Sequence, residues 1–246
     1  MPASTPPRNV ALITGGARRI GREISLDLAA AGWAVGIHYR QSREDAEALV
    51  AEISRAGGTA VTLPADLANF NAVQGLVGAC TKALGPPLCL VNNASEFLLD
   101  SIETVDEATW TVHQDINLKA PVFLAQSMLR ALPEAAEANI INIIDQRVWK
   151  LTPDFFSYTI SKAGLWTATQ TLAQALSPRV RVNAIGPGPV FRSVHQTEAE
   201  FAAEQSATLM KRGPSPKEIA AAVRFILATP SMTGQMIALD AGQHLA

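Results

Sequence analysis

A tyrosine and a lysine four residues apart form a pair that could transfer a proton. Tyr158 and Lys162 lie in the stretch SYTISK, at the predicted start of a helix, and this spacing places both side chains on one face. A lysine ammonium beside a phenol favours the tyrosinate and lowers the pKa of the phenol toward the operating pH. The pair is common on surface helices, so its meaning depends on the other motifs of the chain.

A glycine-rich segment near the amino terminus has the features of a phosphate-binding loop. It reads ALITGGARRIG and places Gly15 directly after an apolar strand and Gly21 in the first turn of the next helix. Glycines at such positions let backbone N–H groups and the helix N-terminus approach a phosphate. Two bulky cations, Arg18 and Arg19, stand in the same segment, which predicts that side-chain charge adds to the backbone donors.

The end of the second predicted strand lacks the acidic residue that often binds the ribose hydroxyls of NAD. The sequence there is HYRQSRED, so the tip carries Tyr39, Arg40, Gln41 and Ser42. Arg40 is close to the two arginines of the glycine-rich loop and could bind the 2′-phosphate of NADP instead. The alternative is that Arg40 is an ordinary loop residue in contact with solvent.

Apolar strand-like runs alternate with helical patterns along almost the whole chain. Ile20, Ile24 and Leu28 recur every four residues after the first strand, and Gly32 ends that helix. Further helices are predicted at residues 43–56, 69–83, 106–132 and 155–176, and strands within residues 9–14, 33–39, 59–67, 88–94, 139–144, 179–185 and 235–240. This alternation predicts an α/β, doubly wound Rossmann fold with about seven parallel strands and helices on both faces.

One domain is predicted over residues 9–246, since no linker or repeat divides the pattern. Residues 1–8 are rich in proline and small polar residues and are predicted to be a short disordered tail. Residues 186–213 interrupt the alternation with a long stretch that contains proline and glycine. This stretch is predicted to cover the ligand crevice.

The composition argues against several classes of protein. The chain has 246 residues, 48% of them hydrophobic, and a formal net charge of −2, which predicts a folded domain without a basic surface for nucleic acid or an anionic membrane. No apolar run is long enough to span a membrane. Cys80 and Cys89 lie in apolar stretches, so they are predicted to be reduced core residues of a cytoplasmic protein, with no disulfide and no metal site.

The separate motifs occur in one characteristic order. Together they resemble the short-chain dehydrogenase/reductase family over nearly the whole chain after the tail. The matching residues are Thr14, Gly15, Gly16, Gly21, Asp66, Leu67, Asn92, Asn93, Ala94, Asn117, Tyr158, Lys162, Pro187 and Gly188. Each motif alone has little specificity, whereas their combination is highly specific.

The resemblance implies roles for these residues. Tyr158 is expected to donate a proton, Lys162 to bind the nicotinamide ribose and tune the tyrosine, and Asn117 to hold a water molecule in a proton relay. The expected cofactor is NADPH or NADP, with Asp66 near the adenine and Pro187 near the nicotinamide. The residues expected to bind it are Gly15, Arg18, Arg19, Ile20, Gly21, Tyr39, Arg40, Gln41, Ser42, Asp66, Leu67, Asn93, Ala94, Ser95, Tyr158, Lys162, Pro187 and Gly188.

Two residues depart from the common family pattern. Asp145 follows the fifth strand where most members have a serine, and an ionised carboxylate cannot donate a hydrogen bond to a substrate carbonyl. Arg19 stands where glycine is usual. Both changes resemble the pteridine reductases and the short-chain dihydromonapterin and dihydrofolate reductases. The substrate-binding residues that this resemblance implies are Arg19, Ser95, Phe97, Asp145 and Tyr158.

Three functions are compatible with these observations. The first is NADPH-dependent reduction of a C=N bond in a pteridine or dihydrofolate-like ring, with Asp145 helping Tyr158 to deliver a proton to a ring nitrogen. The second is a general carbonyl reductase or alcohol dehydrogenase, and the third is an inactive NADP(H)-binding sensor. The resemblance also implies a homotetramer, in which the long helices that carry Asn117 and Tyr158 form an interface.

Overall fold

Seven parallel strands form one sheet in the computed structural model, which describes residues 9–246. The strands are β1 Val10–Ile13, β2 Ala34–Tyr39, β3 Thr59–Pro64, β4 Cys89–Asn92, β5 Ala138–Ile143, β6 Val180–Pro187 and β7 Met236–Leu239. Their order across the sheet is β3-β2-β1-β4-β5-β6-β7. The order reverses between β1 and β4, and ligands of doubly wound sheets bind at such a switch point, outside the carboxyl ends of the strands.

Helices cover both faces of the sheet. They are α1 Arg19–Ala30, α2 Arg43–Arg55, α3 Phe70–Leu84, α4 Glu107–Gln114, α5 Ala120–Ala131, α6 Phe156–Leu176, α7 Glu198–Ala207 and α8 Pro216–Ala228. On one side α1 contacts α2 and α8, and on the other α3 contacts α5. The predicted fold class is therefore confirmed.

Alternating residues of β1 contribute to two hydrophobic layers. Ile13 belongs to the layer that includes Ile24 of α1. Leu12 belongs to the opposite layer, with Leu76 of α3 and Leu124 of α5. Successive side chains of a strand point to opposite faces, so an uninterrupted apolar strand needs helices on both sides. The two layers hold the carboxyl ends of the strands in place.

Apart from the unpredicted helix α8 and shifts of a few residues at element ends, the structure differs from the predicted elements at two places. The helix predicted over residues 106–132 contains a π-helical turn, Asp115–Lys119, between α4 and α5. Such turns are rare inside helices and occur frequently at functional sites. In the segment predicted to cover the crevice, the first two residues complete β6, and Glu198–Ala207 forms α7. The predicted tail at residues 1–8 lies outside the described residues.

Cys80 and Cys89 are both buried and free, as expected for core residues. From residue 9 to residue 246, no helix has the combination of length and apolar character that crossing a membrane requires. The same stretch contains no cluster of three or more His, Cys, Asp or Glu residues that could hold a metal ion.

Candidate active site

The loop between β1 and α1 leaves the N-terminus of α1 available to a ligand. No side chain caps this terminus, and its first turn contains no acidic residue. Gly15 has a φ of +60°, in the left-handed region that favours glycine. A side chain at Gly21 would collide with the carbonyl oxygen of Gly15, so the loop packs directly on the helix. Uncapped N–H groups in this position can bind an anion.

Residues after β4 brace this loop. Asn93 Nδ2 donates to the carbonyl oxygens of Thr14, at 2.9 Å, and Gly15, at 3.1 Å. The hydroxyl of Thr14 in turn accepts from the backbone N–H groups of Asn93, at 2.9 Å, and Ala94, at 3.0 Å. Asn93 and Ala94, which were predicted to bind the cofactor, therefore hold the glycine-rich loop in shape.

A cavity of about 550 Å³ adjoins this loop. Nine of the eighteen residues predicted to bind the cofactor line it: Gly15, Arg18, Tyr39, Arg40, Gln41, Ser42, Leu67, Ala94 and Ser95. Asp66, next to Leu67, is exposed, and its Oδ1 accepts from the N–H of Ala68 at 3.0 Å. Ile20 packs its side chain against the core.

Two arginines in the lining of this cavity have acidic partners. Arg18 Nη1 donates to Ser42 Oγ at 3.3 Å, and its Nε lies 3.2 Å from Asp45 Oδ2. Arg40 Nη1 lies 2.7 Å from Glu96 Oε1. Both Arg40 and Glu96 line the cavity, so their ion pair joins the tip of β2 to the segment after β4 at the cavity wall.

Arg19 links the glycine-rich loop to the covering segment. Its backbone is left-handed, with a φ of +51°. Its guanidinium carbon lies 5.1 Å from the centre of the Phe191 ring, and Nη2 donates to the carbonyl oxygen of Arg192 at 3.3 Å. Burial, together with the nearby charge of Arg18, lowers the pKa of Arg19. The two segments that were predicted to enclose a ligand therefore meet at this side chain.

Tyr158 and Asp145 make a direct contact at the start of α6. Tyr158 Oη donates to Asp145 Oδ2 at 2.9 Å, and Asp145 Oδ1 accepts from the N–H of Arg147 at 2.8 Å. Lys162 Nζ donates to the carbonyl oxygen of Ile143 at 3.0 Å and lies 5.7 Å from the centre of the Tyr158 ring. The residue that follows β5 is thus joined to the tyrosine–lysine pair.

The surroundings of Tyr158 act in the opposite direction to the sequence-based prediction. Burial raises the pKa of Tyr158 well above its usual value, and the Asp145 carboxylate raises it further. Burial also raises the pKa of Asp145 and lowers that of Lys162 to about 8. The net pKa of the phenol is therefore raised and not lowered toward the operating pH, because burial and a hydrogen-bonded carboxylate both stabilise the neutral phenol.

Asn117 lies in the π-helical turn and is bonded to protein groups at both ends of its amide. Oδ1 accepts from Ser95 Oγ at 3.1 Å and from the N–H of Glu96 at 2.9 Å. Nδ2 donates to the carbonyl oxygen of Glu96 and to Ser161 Oγ, both at 3.0 Å. The side chain therefore ties the segment after β4 to α6, and its expected role in a water relay stays a prediction.

Phe97 belongs to an aromatic wall beside Tyr158. The centres of these two rings are 4.6 Å apart in an edge-to-face arrangement. Phe155 stacks on Phe97 with 4.2 Å between ring centres, and His195 Nε2 of the covering segment lies 3.1 Å from the carbonyl oxygen of Phe97. A planar ligand that stacks on Phe97 must therefore use its other face or displace Phe155.

Pro187 and Gly188 stand at the end of β6, the neighbour of β5 in the sheet. The N–H of Gly188 donates to the carbonyl oxygen of Leu239 at 3.0 Å, and a side chain at Gly188 would collide with Asp240. The predicted nicotinamide border is thus a closely packed corner beside the strand that Asp145 follows.

Comparison with known sequences decides the family. The sequence profile described as short chain dehydrogenase matches residues 9–202. The chain belongs to the short chain dehydrogenase family. The family membership predicted from the combined motifs is confirmed.

Several proteins of known structure or sequence are similar to this short chain dehydrogenase. FolM alternative dihydrofolate reductase 1 from Brucella canis, complexed with NADP, is 49% identical, with a TM-score of 0.95 and coverage of 98% of this chain and 95% of that chain. Its Brucella suis counterpart in complex with NADP is 48% identical, with the same TM-score and coverage of 98% and 97%. A 3-oxoacyl-[acyl-carrier-protein] reductase from Synechocystis sp. is 32% identical over 95% of this chain and 96% of the relative. The predicted likeness to short-chain dihydrofolate reductases is confirmed.

Three side chains in the site of this short chain dehydrogenase were missed by sequence reasoning. Glu96 pairs with Arg40, and Phe155 stacks on Phe97. Glu96 follows a predicted site residue directly, and Phe155 precedes Tyr158 by three, so proximity in sequence was the available signal. His195 reaches Phe97 from 98 residues away, and no local pattern indicates that contact.

Proposed function

We propose that this protein is an NADPH-dependent reductase of a C=N bond in a pteridine or dihydrofolate-like ring. The observation that carries the proposal is the 2.9 Å hydrogen bond from Tyr158 Oη to Asp145 Oδ2, at the position where most of the family has a serine. A carboxylate cannot donate to a substrate carbonyl, but it can take part in moving a proton to a ring nitrogen. The 49% identity with the Brucella canis dihydrofolate reductase supports the same substrate class.

Tyr158 is the proposed proton donor. Its raised pKa keeps the phenol protonated until a basic ring nitrogen accepts the proton. Asp145 is proposed to pass a replacement proton to the phenol after each transfer. Its raised pKa allows the carboxyl group to hold that proton at a higher pH than an ordinary carboxyl group does. Lys162 is proposed to bind the ribose hydroxyls and balance the charge of the transient tyrosinate. Asn117 is proposed to connect the pair to water.

The residues around the glycine-rich loop fit a phosphorylated dinucleotide. The uncapped N-terminus of α1 suits a pyrophosphate, and the cavity of about 550 Å³ suits the adenosine. Arg18 and Arg40 supply positive charge for a 2′-phosphate in its lining. The NADP complexes of the two Brucella proteins support this cofactor. When bound, the reduced nicotinamide supplies the hydride that adds to the ring carbon of the substrate.

The second candidate function is reduction of a carbonyl group, which the 32% identity with a 3-oxoacyl-[acyl-carrier-protein] reductase favours. A panel of dihydropterins, dihydrofolate, simple ketones and a 3-oxoacyl thioester, each assayed with NADPH, tests both. Turnover confined to the pteridine compounds supports the proposal, and turnover confined to the carbonyl compounds refutes it. A chain that binds NADPH but reduces no compound of the panel fits the sensor function.

NADPH is expected to bind about ten- to a thousandfold more tightly than NADH, because one or two charge-assisted hydrogen bonds of ~1.5–3 kcal/mol distinguish them. Arg40→Ala should remove much of this preference. Glu96→Gln should increase it, because it releases Arg40 from the ion pair. Fluorescence titration with both cofactors measures these affinities. Arg55→Ala, an exposed arginine at the end of α2, is the matched control, and equal binding of the two cofactors by the unmodified protein contradicts the assignment.

Phe97→Ala is expected to raise the KM of a dihydropterin by about two- to tenfold, since aromatic stacking contributes ~0.5–1.5 kcal/mol beyond area burial. The affinity for NADPH should stay the same. Steady-state kinetics and a cofactor titration measure the two quantities. Phe225→Ala removes a phenylalanine that is 54% exposed on α8 and is the control. An unchanged KM would mean that Phe97 only packs against Phe155.

We further propose that the protein acts as a homotetramer in the cytoplasm. Trp110 of α4 and Ile160 of α6 are exposed apolar residues on two of the helices expected at an interface. Two free buried cysteines agree with a reducing compartment. Sedimentation equilibrium measures the assembly, and a monomer at micromolar concentration refutes it.

A further inference from the structure

The helix that carries Tyr158 does not cap its own N-terminus. The residue before α6 is Phe155, which has a φ of +56° and provides no side-chain cap. Asp100, from the segment after β4, takes this place: the N–H of Ser157 lies 3.2 Å from its Oδ1 and 3.3 Å from its Oδ2. The hydroxyl of Ser157 also donates to Asp100 Oδ2. A carboxylate at a helix N-terminus is favourable for the N–H groups and for the helix dipole.

His113 of α4 completes this contact from the other side. Its Nε2 accepts from the N–H of Leu98 at 3.1 Å, which places the ring proton on Nδ1. Nδ1 lies 2.6 Å from Ser157 Oγ and donates to it, and the serine proton then points to Asp100. All three side chains are buried, so each bond is made in a region of low dielectric constant.

Burial favours the neutral form of His113. Burial lowers the pKa of His113, and the nearby ammonium of Lys162 lowers it as well. The carboxylates of Asp100 and Glu96 act in the opposite direction. A second proton, on Nε2, would face the N–H of Leu98 and break that bond.

These bonds connect the two halves of the proposed site. Leu98 directly follows Phe97, the stacking residue, and Ser157 directly precedes Tyr158, the proton donor. The His113 ring itself contacts the Tyr158 ring, with 5.9 Å between centres. Phe97 and Tyr158 are therefore both attached, through one neighbouring residue each, to the same imidazole.

We propose that His113, Ser157 and Asp100 form a positioning triad that sets the phenol of Tyr158 on Asp145 and, separately, holds the Phe97 segment. None of its three side chains belongs to the residues predicted to bind the cofactor or the substrate. The inference rests on the proposed function only in taking Tyr158 as the proton donor and Phe97 as a substrate contact. Its distinguishing feature is that the two nitrogens of His113 perform different tasks.

Two variants separate these tasks. The amide of His113→Asn can replace Nδ1 as a donor to Ser157 but cannot reach Leu98. The amide oxygen of His113→Gln can replace Nε2 as an acceptor from Leu98 but places no donor on Ser157. Any general loss of packing would affect both variants alike.

The measurements need no substrate. The chain has two tyrosines, so in a Tyr39→Phe background a carbon-13 tyrosine label reports on Tyr158 alone. His113→Gln is expected to lower the pKa of Tyr158 by about one unit, the effect of loosening one charge-assisted hydrogen bond. His113→Asn should leave this pKa in place but speed amide hydrogen exchange at Leu98 by about tenfold or more. In a turnover assay, His113→Gln should lower kcat and His113→Asn should raise the substrate KM.

Ser157→Ala serves as a second variant should the histidine variants fail to fold, and it should reproduce the Tyr158 change of His113→Gln. Ser215→Ala is the matched control, because Ser215 also caps a helix, α8, in a capping box outside the site. It should lower the unfolding temperature without moving the Tyr158 signal. The proposal is overturned if both histidine variants change both readouts together or neither readout changes. If the protein reduces no pteridine substrate, the proposed function fails. The pKa of Tyr158 and the amide exchange rate of Leu98 still test the triad, because neither measurement needs turnover.

Discussion

Asp145→Ser is expected to reduce the turnover of a dihydropterin by ~10²–10⁴-fold, the usual contribution of a general acid or base. The change removes the carboxylate that accepts from Tyr158 Oη at 2.9 Å and puts in its place a hydroxyl, which is far too weak an acid to return a proton to the phenol. The affinity for NADPH should hardly change, because Asp145 lies beside Tyr158 and does not line the cavity of about 550 Å³ that is proposed to hold the adenosine. Reduction of simple ketones should hold or rise, since serine restores the hydroxyl donor.

The pH dependence of turnover provides an independent measure of the same residue. Burial raises the pKa of Asp145, so its transition in the unmodified protein should lie above the range of an ordinary carboxyl group. Asp145→Ser should abolish that transition. Asp145→Asn, which keeps the shape and removes the charge, should also abolish it without restoring a hydroxyl for ketones.

Asp154→Ser provides the control for these measurements, because it makes the same substitution at an exposed aspartate of the loop before α6. It should leave turnover and the pH profile unchanged. Full dihydropterin turnover by Asp145→Ser, with an unaltered pH profile, would show that the carboxylate has no part in the reaction and would remove the main support for the pteridine proposal.

Tyr158→Phe should abolish measurable turnover and leave the affinity for NADPH nearly unchanged. The phenol is the proposed source of the transferred proton, whereas the proposed phosphate sites lie elsewhere, at the N-terminus of α1 and the arginines. The raised pKa of Tyr158 means that the neutral phenol is present throughout the physiological range, so no pH in that range should restore turnover to the variant. Single-turnover kinetics and a cofactor fluorescence titration measure the two effects.

Lys162→Ala is the comparison that separates the two members of the pair. The ammonium is proposed to bind the ribose as well as to balance the tyrosinate, so this variant should weaken cofactor binding and slow turnover together. Near-normal kcat for Tyr158→Phe would reject the phenol as proton donor, whatever the behaviour of the lysine variant.

The fold and the principal motifs could be predicted from the sequence for identifiable physical reasons. A parallel strand buried on both faces must be a continuous apolar run, and β1 is one, with Leu12 and Ile13 in opposite core layers. The four-residue spacing of Tyr158 and Lys162 places them on one helix face whatever surrounds the helix. Asp145 was predictable because it stands two residues after the end of β5, and the carboxyl ends of parallel strands meet at one edge of the sheet.

Contacts between distant segments depended on the tertiary structure. The Arg40–Glu96 ion pair and the bond between His113 and Ser157 join elements that no periodicity relates. The π-helical turn around Asn117 is likewise invisible to a pattern with the ordinary helical period.

The sequence by itself determined which residues could do the chemistry: a phenol, an ammonium and a carboxylate at the carboxyl edge of a parallel sheet. Only the tertiary structure decided the directions in which their pKa values shift. Lys162 was expected to lower the phenol pKa, but the folded chain buries Tyr158 and hydrogen-bonds it to Asp145, which raises that pKa. The physical reason is that spacing along a helix sets which groups are neighbours, whereas a pKa depends on desolvation and on every charge that the fold brings near.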